Sequence, residues 1–368
     1  MSDIRITEWL EQDPLARISV RVIRDGQAAS GAYIASPTFS QYGYGWLRDG
    51  SFCALAMEAA GEVESAARFH DWVASTVLRH ESMFRTSTSE LRQGSIPPAA
   101  SLPPTRYRLD GTLEPEHADA WPNFQLDGYG TWLCAVEATQ ASRSDDMTAA
   151  MELVADLLAV AWDKPCYDCW EEGGDRVHAS TLLAVSGGLR AASRVLDEVG
   201  FSIVALEIRK RLERDFARDG VLRKLADDAR VDASLAWAAV PHGAYEADEA
   251  LVLRTVDRIV EELGSPGIRR YLGDSYFGGG DWVLLTGLVA WQDAVSGNRA
   301  RWEQGMRWMR STMTADGSLP EQTLDRVQFP EYVEQWEHRW GTVATPLLWS
   351  HAMYLLAGAQ GALNAWNS

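Results

Sequence analysis

Apolar residues recur along this chain at helical spacing, while the strict alternation of apolar and polar residues that predicts strands is scarce. Six segments are almost uncharged and rich in small residues, and most of them are followed by a charged, amphipathic segment. These six segments begin near Ser51, Gly130, Ser180, Asp232, Trp282 and Thr345. The first pair reads as two helices that are separated near Gly61. The pattern predicts six helical pairs.

This alternation predicts how the helices pack. A helix that is apolar all round is buried on every side, and a helix with one apolar face covers it from solvent. Six inner helices surrounded by outer ones form an all-α (α/α)6 barrel, which is the fold that we predict. A helical solenoid or bundle also shows repeats of ~40–50 residues, so the periodicity alone leaves these alternatives open.

Long polar or Gly/Pro-rich stretches lie between the predicted pairs. They cover residues 41–49, 86–128, 164–175, 266–281 and 318–344. Loops beyond ~12–15 residues in a compact domain usually carry function, and these stretches hold many of the Trp, Arg, Glu and Asp residues. We therefore predict a binding cleft formed by loops above a helical platform. No stretch reads as a linker, so we expect a single catalytic domain over residues 1–368.

The charge of the chain excludes some classes of partner. The net charge is -18, from 34 basic and 52 acidic residues, and such a field repels nucleic acid and anionic membranes. The first residues carry charges from Asp3 onward, and no run of about 18 apolar residues occurs. We expect a soluble, cytoplasmic protein with no nucleic-acid or membrane partner. The oligomeric state is not predicted.

The cysteines and tryptophans add less specific information. The cysteines are Cys53, Cys134, Cys166 and Cys169, and the last two form a lone CxxC pattern. Without a second pair this pattern is weak support for a metal site, so we expect reduced thiols that pack as small apolar residues. The 16 tryptophans suit both core packing and the apolar faces of sugar rings.

Two segments combine aromatic and polar residues just before a predicted helix. The first, YGYGWLRD, covers residues 42–49 and contains Arg48 and Asp49. An Arg-Asp pair at a helix start is often a solvated cap, but beside aromatic rings it also suits the hydroxyl groups of a sugar. The second, WPNFQLDGYG, covers residues 121–130, and its alternative interpretation is an Asp-Gly turn.

Two further segments each supply a glutamate. YDCWEE covers residues 167–172 and places Glu171 beside Trp170, and an apolar neighbour raises a carboxyl pKa. SLPEQ, over residues 318–322, contains Glu321. A glycosidase needs two carboxyl groups around one glycosidic oxygen. Glu171 and Glu321 are candidates for that pair, and such chemistry requires neither a metal nor another cofactor.

These segments, in this order, resemble glycoside hydrolase family 15, the family of glucoamylases, glucodextranases and trehalase-like enzymes. Further matching motifs are ASP at 35–37, RYRLDG at 106–111, Arg270-Tyr271 with DSY at 274–276, GDW at 280–282 and WSH at 349–351. The matches extend from Ala35 to His351, nearly the whole chain. The resemblance implies an (α/α)6 barrel and inversion at the anomeric carbon.

The resemblance also implies roles for individual residues. Glu171 matches the general acid, Glu172 a substrate contact near the next subsite, and Glu321 the base that activates water. The matching substrate-binding positions are Arg48 and Asp49 for the terminal glucose, with Tyr44 and Trp46 as its aromatic surroundings. Trp121, Gln125 and Asp127 match a cleft-lining segment, and Arg270 matches an Arg that binds on both sides of the scissile bond. Trp170, next to Glu171, is a further candidate substrate contact.

The segment after Glu321 is long and contains Trp336 and Trp340. We predict that it folds over the cleft and shortens it, and the alternative is a surface excursion. The expected activity is therefore removal of single glucose units from small α-gluco-oligosaccharides, with α-1,6 bonds preferred over α-1,4 and then α,α-1,1 bonds. Two other classes stay open, a sugar 2-epimerase on a similar barrel and a non-catalytic sugar-binding protein.

Overall fold

The computed structural model describes residues 4–95, 97–98, 101–114, 124–139 and 143–364. The helices of these ranges are α1 (Ile4–Gln12), α2 (Pro14–Asp25), α3 (Leu47–Ala59), α4 (Val63–Arg79), α5 (Glu81–Arg92), α6 (Asp127–Ala138), α7 (Asp145–Ala161), α8 (Ala179–Leu196), α9 (Val199–Arg211), α10 (Ala250–Leu263), α11 (Val283–Ser296), α12 (Arg299–Ser311), α13 (Glu331–Trp340) and α14 (Leu348–Leu363). The short strands are β1 (Gly45–Trp46), β2 (Arg106–Tyr107), β3 (Ala217–Arg218), β4 (Val221–Leu222), β5 (Asp281–Trp282) and β6 (Gln322–Thr323).

Six inner elements form a closed ring. They are α3, α6, α8, the 3-10 helix Ala233–Ala238, α11 and α14; each contacts the next, and α14 contacts α3. Outer helices α4, α7, α9, α10, α12 and α2 pack against this ring from outside. The all-α (α/α)6 architecture predicted from the sequence is therefore confirmed.

The inner helices are buried on nearly all sides because they carry almost no charge. Helix α14 buries all but three of its residues. Helices α6 and α8 approach closely at two glycines, since a Cβ at Gly130 would lie 2.3 Å from the carbonyl oxygen of Ala184. The outer helix α10, by contrast, buries one stripe of residues at spacings of three and four, as expected for a helix with one wet face.

Two boundaries predicted from the pattern have clear outcomes. The separation near Gly61 is confirmed, because Gly61 has a φ of +83° between α3 and α4. The fourth inner helix was expected as a full helix from about Asp232, and that prediction is wrong: this element is a six-residue 3-10 helix. Pro241 follows shortly after it, and the residue before a proline is disfavoured in helical geometry. This 3-10 helix is therefore the shortest of the six inner elements.

Three antiparallel strand pairs tie the loops at one end of the ring. Trp46 pairs with Arg106, and Trp282 pairs with Gln322. Strand β1 leads directly into α3 and β5 directly into α11, so the loops are fixed to the N-terminal ends of inner helices. No helix in the described part of the chain is long and apolar enough to cross a membrane.

Candidate active site

A cavity of about 540 Å³ lies at the N-terminal ends of the inner helices, a volume typical of small-ligand sites. Ten residues predicted from the sequence line it: Trp46, Arg48, Asp49, Trp170, Glu171, Glu172, Arg270, Glu321, Trp336 and Trp340. They come from segments that span almost 300 positions of the chain, and the barrel brings them together.

Glu171 stands in the loop between α7 and α8 and faces this cavity. One carboxylate oxygen, Oε1, accepts hydrogen bonds from Trp46 Nε1 at 2.9 Å and from Gln125 Nε2 at 3.3 Å. Burial raises the pKa of Glu171, against the nearby positive charge of Arg48. A buried carboxyl with a raised pKa keeps its proton to higher pH, which suits a general acid.

Glu321 precedes β6 and reaches the cavity from a different loop. Its Oε1 accepts a hydrogen bond from the Tyr42 hydroxyl at 2.9 Å, and Tyr42 in turn contacts the Tyr276 hydroxyl at 2.9 Å. The other oxygen, Oε2, is buried and has no hydrogen-bond partner among the described residues. Burial raises the pKa of Glu321 to about 8. One oxygen is thus held in place, while the second can accept a proton whenever the carboxyl is ionised.

Arg48 and Asp49 occupy the first turn of α3, at the floor of the cavity. Arg48 Nη1 donates to Gln125 Oε1 and to Asp127 Oδ2, each at 3.0 Å, and its guanidinium lies 5.2 Å from the centre of the Trp349 ring. Burial raises the pKa of Asp49 to about 6. Gln125 and Asp127 are fully buried behind Arg48 and do not line the cavity, so they orient Arg48 rather than form the wall.

The opposite side of the cavity carries a second charged group. Glu172 Oε2 accepts a hydrogen bond from the Tyr271 hydroxyl at 2.5 Å, and Glu172 Oε1 lies 3.4 Å from Arg270 Nη2. Arg270 also donates to Asp274, through Nε at 2.8 Å. These contacts fix a carboxylate and a guanidinium side by side, where both can hydrogen-bond to hydroxyl groups.

Helix α13 forms the outer wall. Trp336 Nε1 donates to the carbonyl oxygen of Ser275 at 3.0 Å, and its ring packs edge-on against Tyr276 with the ring centres 5.0 Å apart. The guanidinium of Arg339 lies 4.8 Å from the ring centre of Trp340. The segment after Glu321 is therefore attached to the loop that carries Tyr276, and its two tryptophans face the cavity.

Besides Gln125 and Asp127, a third predicted site residue, Tyr44, is not part of this lining. Tyr44 packs under the guanidinium of Arg106, 4.5 Å from the ring centre, and its edge contacts Trp46. Its place on the wall is taken by Tyr42, two positions earlier in the same segment. Trp121 lies outside the described residues.

Sequence reasoning missed several residues that line the cavity. They are Tyr42, Cys169, Tyr276, Trp282, Arg339 and Trp349. Tyr276, Trp282 and Trp349 lie in the short family motifs quoted above, over residues 274–276, 280–282 and 349–351. Their place in these motifs could have indicated that they line the site. For Arg339 the signal was its position between Trp336 and Trp340.

Comparisons with known proteins show which family the chain belongs to. The family model of Glycosyl hydrolases family 15 matches residues 15–312, a range that contains Glu171 and ends before Glu321. The chain is 39% identical over 353 residues to the Isomaltose glucohydrolase of Kribbella flavida, and the alignment covers 93% of this chain and 91% of the relative.

Solved structures are similar as well. A glycosidase in complex with glucose is 38% identical, has a TM-score of 0.90, and is matched over 99% of this chain and 100% of that chain. A bacterial glucoamylase complexed with acarbose has a TM-score of 0.74 at 19% identity, over 96% of this chain and 56% of that chain. At that identity the second structure shows a shared fold.

Proposed function

This chain belongs to glycosyl hydrolases family 15 and is a glycoside hydrolase, and from that premise we propose that it removes β-glucose from the non-reducing end of short α-gluco-oligosaccharides. Isomaltose-type α-1,6 bonds are the proposed substrate bonds. One observation carries the proposal: two buried carboxyl groups, Glu171 and Glu321, enter one cavity from separate loops in different hydrogen-bonding surroundings.

The two carboxyl groups divide the chemistry between them. Glu171 gives its proton to the glycosidic oxygen as the bond from that oxygen to the anomeric carbon breaks. Glu321 Oε2 takes a proton from a water molecule, whose oxygen forms the new bond on the opposite face of the sugar. The products are β-glucose and the remaining sugar. For this geometry we expect the carboxyl groups to lie about 6.5–9.5 Å apart, as inverting enzymes require.

The floor of the cavity supports exo action. Arg48 and Asp49 are buried side by side, with Arg48 Nη2 and Asp49 Oδ2 3.3 Å apart, and Asp49 Oδ2 has no hydrogen-bond partner among the described residues. Such a pair can hold the hydroxyl groups of a terminal glucose.

We propose that 1–368 is one catalytic domain, because the inner ring uses segments from residue 47 to residue 363.

The proposed preference for short substrates rests on α13. Trp336 and Trp340 line the cavity, and Trp336 packs against Tyr276, whose ring centre lies 5.1 Å from the Arg270 guanidinium. We propose that this is the side where the leaving sugar lies. A wall at this position limits how many sugar units can extend beyond the cleaved bond. The preference for α-1,6 bonds is supported by the 39% identity to a relative named for isomaltose.

A substrate panel tests the proposal directly. Purified protein is incubated with isomaltose, maltose, trehalose and longer glucans, and free glucose is measured, with proton NMR on the earliest product from isomaltose. We expect β-glucose first and the highest kcat/KM on isomaltose. Initial α-glucose would refute inversion, a preference for maltose or trehalose would refute the proposed bond, and absence of glucose from all substrates would refute hydrolysis of these sugars.

Two matched variants test the proposed roles of Glu171 and Glu321. Glu171→Gln and Glu321→Gln each remove one proton-transfer role with little change in size, so each should lower kcat on isomaltose by ~10²–10⁴-fold. Circular dichroism controls for folding. Near-parent turnover in either variant would remove that residue from the mechanism.

A further inference from the structure

A buried lysine lies directly behind the loop that carries Glu171. Lys224 Nζ donates to Asp168 Oδ2 at 2.8 Å and to Asp232 Oδ2 at 2.7 Å. Its side chain is 8% exposed and does not line the cavity. Nζ also lies 4.2 Å from the ring centre of Tyr271, whose hydroxyl holds Glu172. Lys224 therefore joins two carboxylates and one aromatic ring at the back of the site.

The first of these carboxylates organises the main chain around Glu171. Asp168 Oδ1 accepts hydrogen bonds from the backbone N–H of Trp170 at 2.9 Å and of Glu172 at 3.0 Å. The carbonyl oxygen of Asp168 accepts the backbone N–H of Glu171 at 2.9 Å. All three residues after Cys169 are thus tied to Asp168.

The second carboxylate holds the side chain next to Glu171. Asp232 accepts the indole N–H of Trp170, with its two oxygens 3.0 and 2.9 Å from Nε1. Asp232 also accepts the backbone N–H of Ser234 at 2.9 Å and so belongs to the start of the 3-10 helix Ala233–Ala238. This contact connects the loop of Glu171 to the inner ring.

The loop needs such support because Glu171 has an unfavourable backbone. Its φ is +66°, in the left-handed region that side chains other than glycine rarely adopt. A residue stays in that region only where its surroundings hold it there, and such residues cluster at active sites. Two aspartate carboxyl groups that converge behind the loop need a cation between them, because like charges at close range repel. Lys224 supplies that cation.

We propose that Lys224, together with Asp232, is a positioning residue for the general acid: it keeps Asp168 and Asp232 converged on the loop and thereby fixes where the Glu171 carboxyl lies against the glycosidic oxygen. This proposal rests on the assignment of Glu171 as the acid. Neither Lys224 nor Asp232 contacts the reacting atoms. Their effect should therefore depend on how much a substrate needs protonation of its leaving group.

Two substrates separate this role from general support of the fold. Isomaltose loses a sugar alkoxide and needs the acid, whereas α-glucosyl fluoride loses fluoride, a much weaker base that needs little protonation. Displacement of a catalytic group by about 1 Å costs ~10²-fold in rate. We therefore expect Lys224→Met to lower kcat on isomaltose by ~10²-fold and kcat on the fluoride by less than about tenfold, with KM little changed.

Three variants complete the experiment. Glu171→Gln should show the same selective loss more strongly; if it does not, the assignment of the acid fails. Asp232→Asn keeps a hydrogen-bond acceptor for Trp170 while removing the charge, so it should fold and show a smaller selective loss. Arg301→Met removes a partly buried cation that pairs with the buried Asp293 and does not line the cavity, and it should not distinguish the substrates.

The outcomes are distinct. A selective loss in Lys224→Met and Asp232→Asn, as in Glu171→Gln, supports the proposal. If Glu171→Gln is selective while Lys224→Met and Asp232→Asn lose both activities equally or neither, the positioning role is refuted and the proposed function stands. If Lys224→Met does not fold, the selectivity of Asp232→Asn decides by the same criterion.

Discussion

Replacing Glu321 by Gln should lower turnover by ~10²–10⁴-fold and yet stabilise the fold above neutral pH. Burial raises the pKa of Glu321 to about 8 from an ordinary value of 4.5, so the folded protein holds a proton that the unfolded chain releases at lower pH. Between these two pKa values the folded state binds more protons than the unfolded state. The stability of the parent protein therefore falls as pH rises through this window, and it levels off above about pH 8.

The size of the effect follows from the gap of about 3.5 pH units between these two pKa values. At about 1.4 kcal/mol per unit, the charged carboxylate costs the fold up to about 5 kcal/mol at pH 8. A glutamine removes this cost and keeps an oxygen for the Tyr42 hydroxyl. Its amide group lies where Oε2 has no partner, which costs ~1–3 kcal/mol. The expected net gain at pH 8 is ~2–4 kcal/mol.

Urea unfolding at several pH values between about 5 and 8.5 measures this difference, with the slope m compared to confirm the same transition. The free energy of unfolding of Glu321→Gln, relative to the parent, should rise steadily with pH across this range. Exposed Glu207 on α9 provides the control, since Glu207→Gln should give a flat difference. A flat or falling difference for Glu321→Gln would refute the assignment of burial as the dominant influence on this carboxyl.

Other predictions concern recognition and pH. Arg48→Ala and Asp49→Ala should lower kcat/KM for every active substrate alike, by ~10–100-fold each; loss on one linkage alone would place them elsewhere than at the terminal glucose. Trp336→Ala and Trp340→Ala should raise activity on long glucans relative to isomaltose, whereas an unchanged chain-length profile would make α13 surface packing. As the proposed base, Glu321 must be ionised, and its pKa is about 8, so kcat/KM should still be rising at neutral pH and should level off only above about pH 8. Tyr42→Phe removes a hydrogen bond that lowers this pKa and should move the rise to higher pH.

The ring of inner helices was predictable because burial on all sides leaves a strong signal in the sequence. An uncharged helix followed by a one-sided helix has few other ways to pack. The 3-10 helix Ala233–Ala238 escaped this reasoning, since its composition matches the other inner helices. Local features set its two ends: Asp232 caps the start by accepting the Ser234 backbone N–H at 2.9 Å, and Pro241 follows soon after the last residue, Ala238. Composition reports burial, whereas such local hydrogen bonds decide how long a helix runs.

The choice between Tyr42 and Tyr44 shows a second limit. Both tyrosines lie in one aromatic segment before α3, and in a regular strand residues two apart would share a face. Here Tyr42 ends the 3-10 helix Ser40–Tyr42, while Tyr44 precedes β1. The backbone between them follows no single period, so one ring reaches Glu321 and the other lies against Arg106. Motif membership predicted the neighbourhood of the site but not the direction of each ring.

The support behind Glu171 was the least predictable part of the site, and the reason is physical. Lys224 stands in the polar run RKLADD, over residues 223–228, which has the composition of a solvated surface loop. It becomes a buried cation only because the chain returns after α9 and places it 56 positions from Asp168 in sequence but 2.8 Å away in space. A substrate-contacting motif can be recognised because its residues are close together in the sequence. The groups that hold the motif in place can come from any loop that reaches it, so the sequence indicates a candidate acid before it indicates the groups proposed to position that acid.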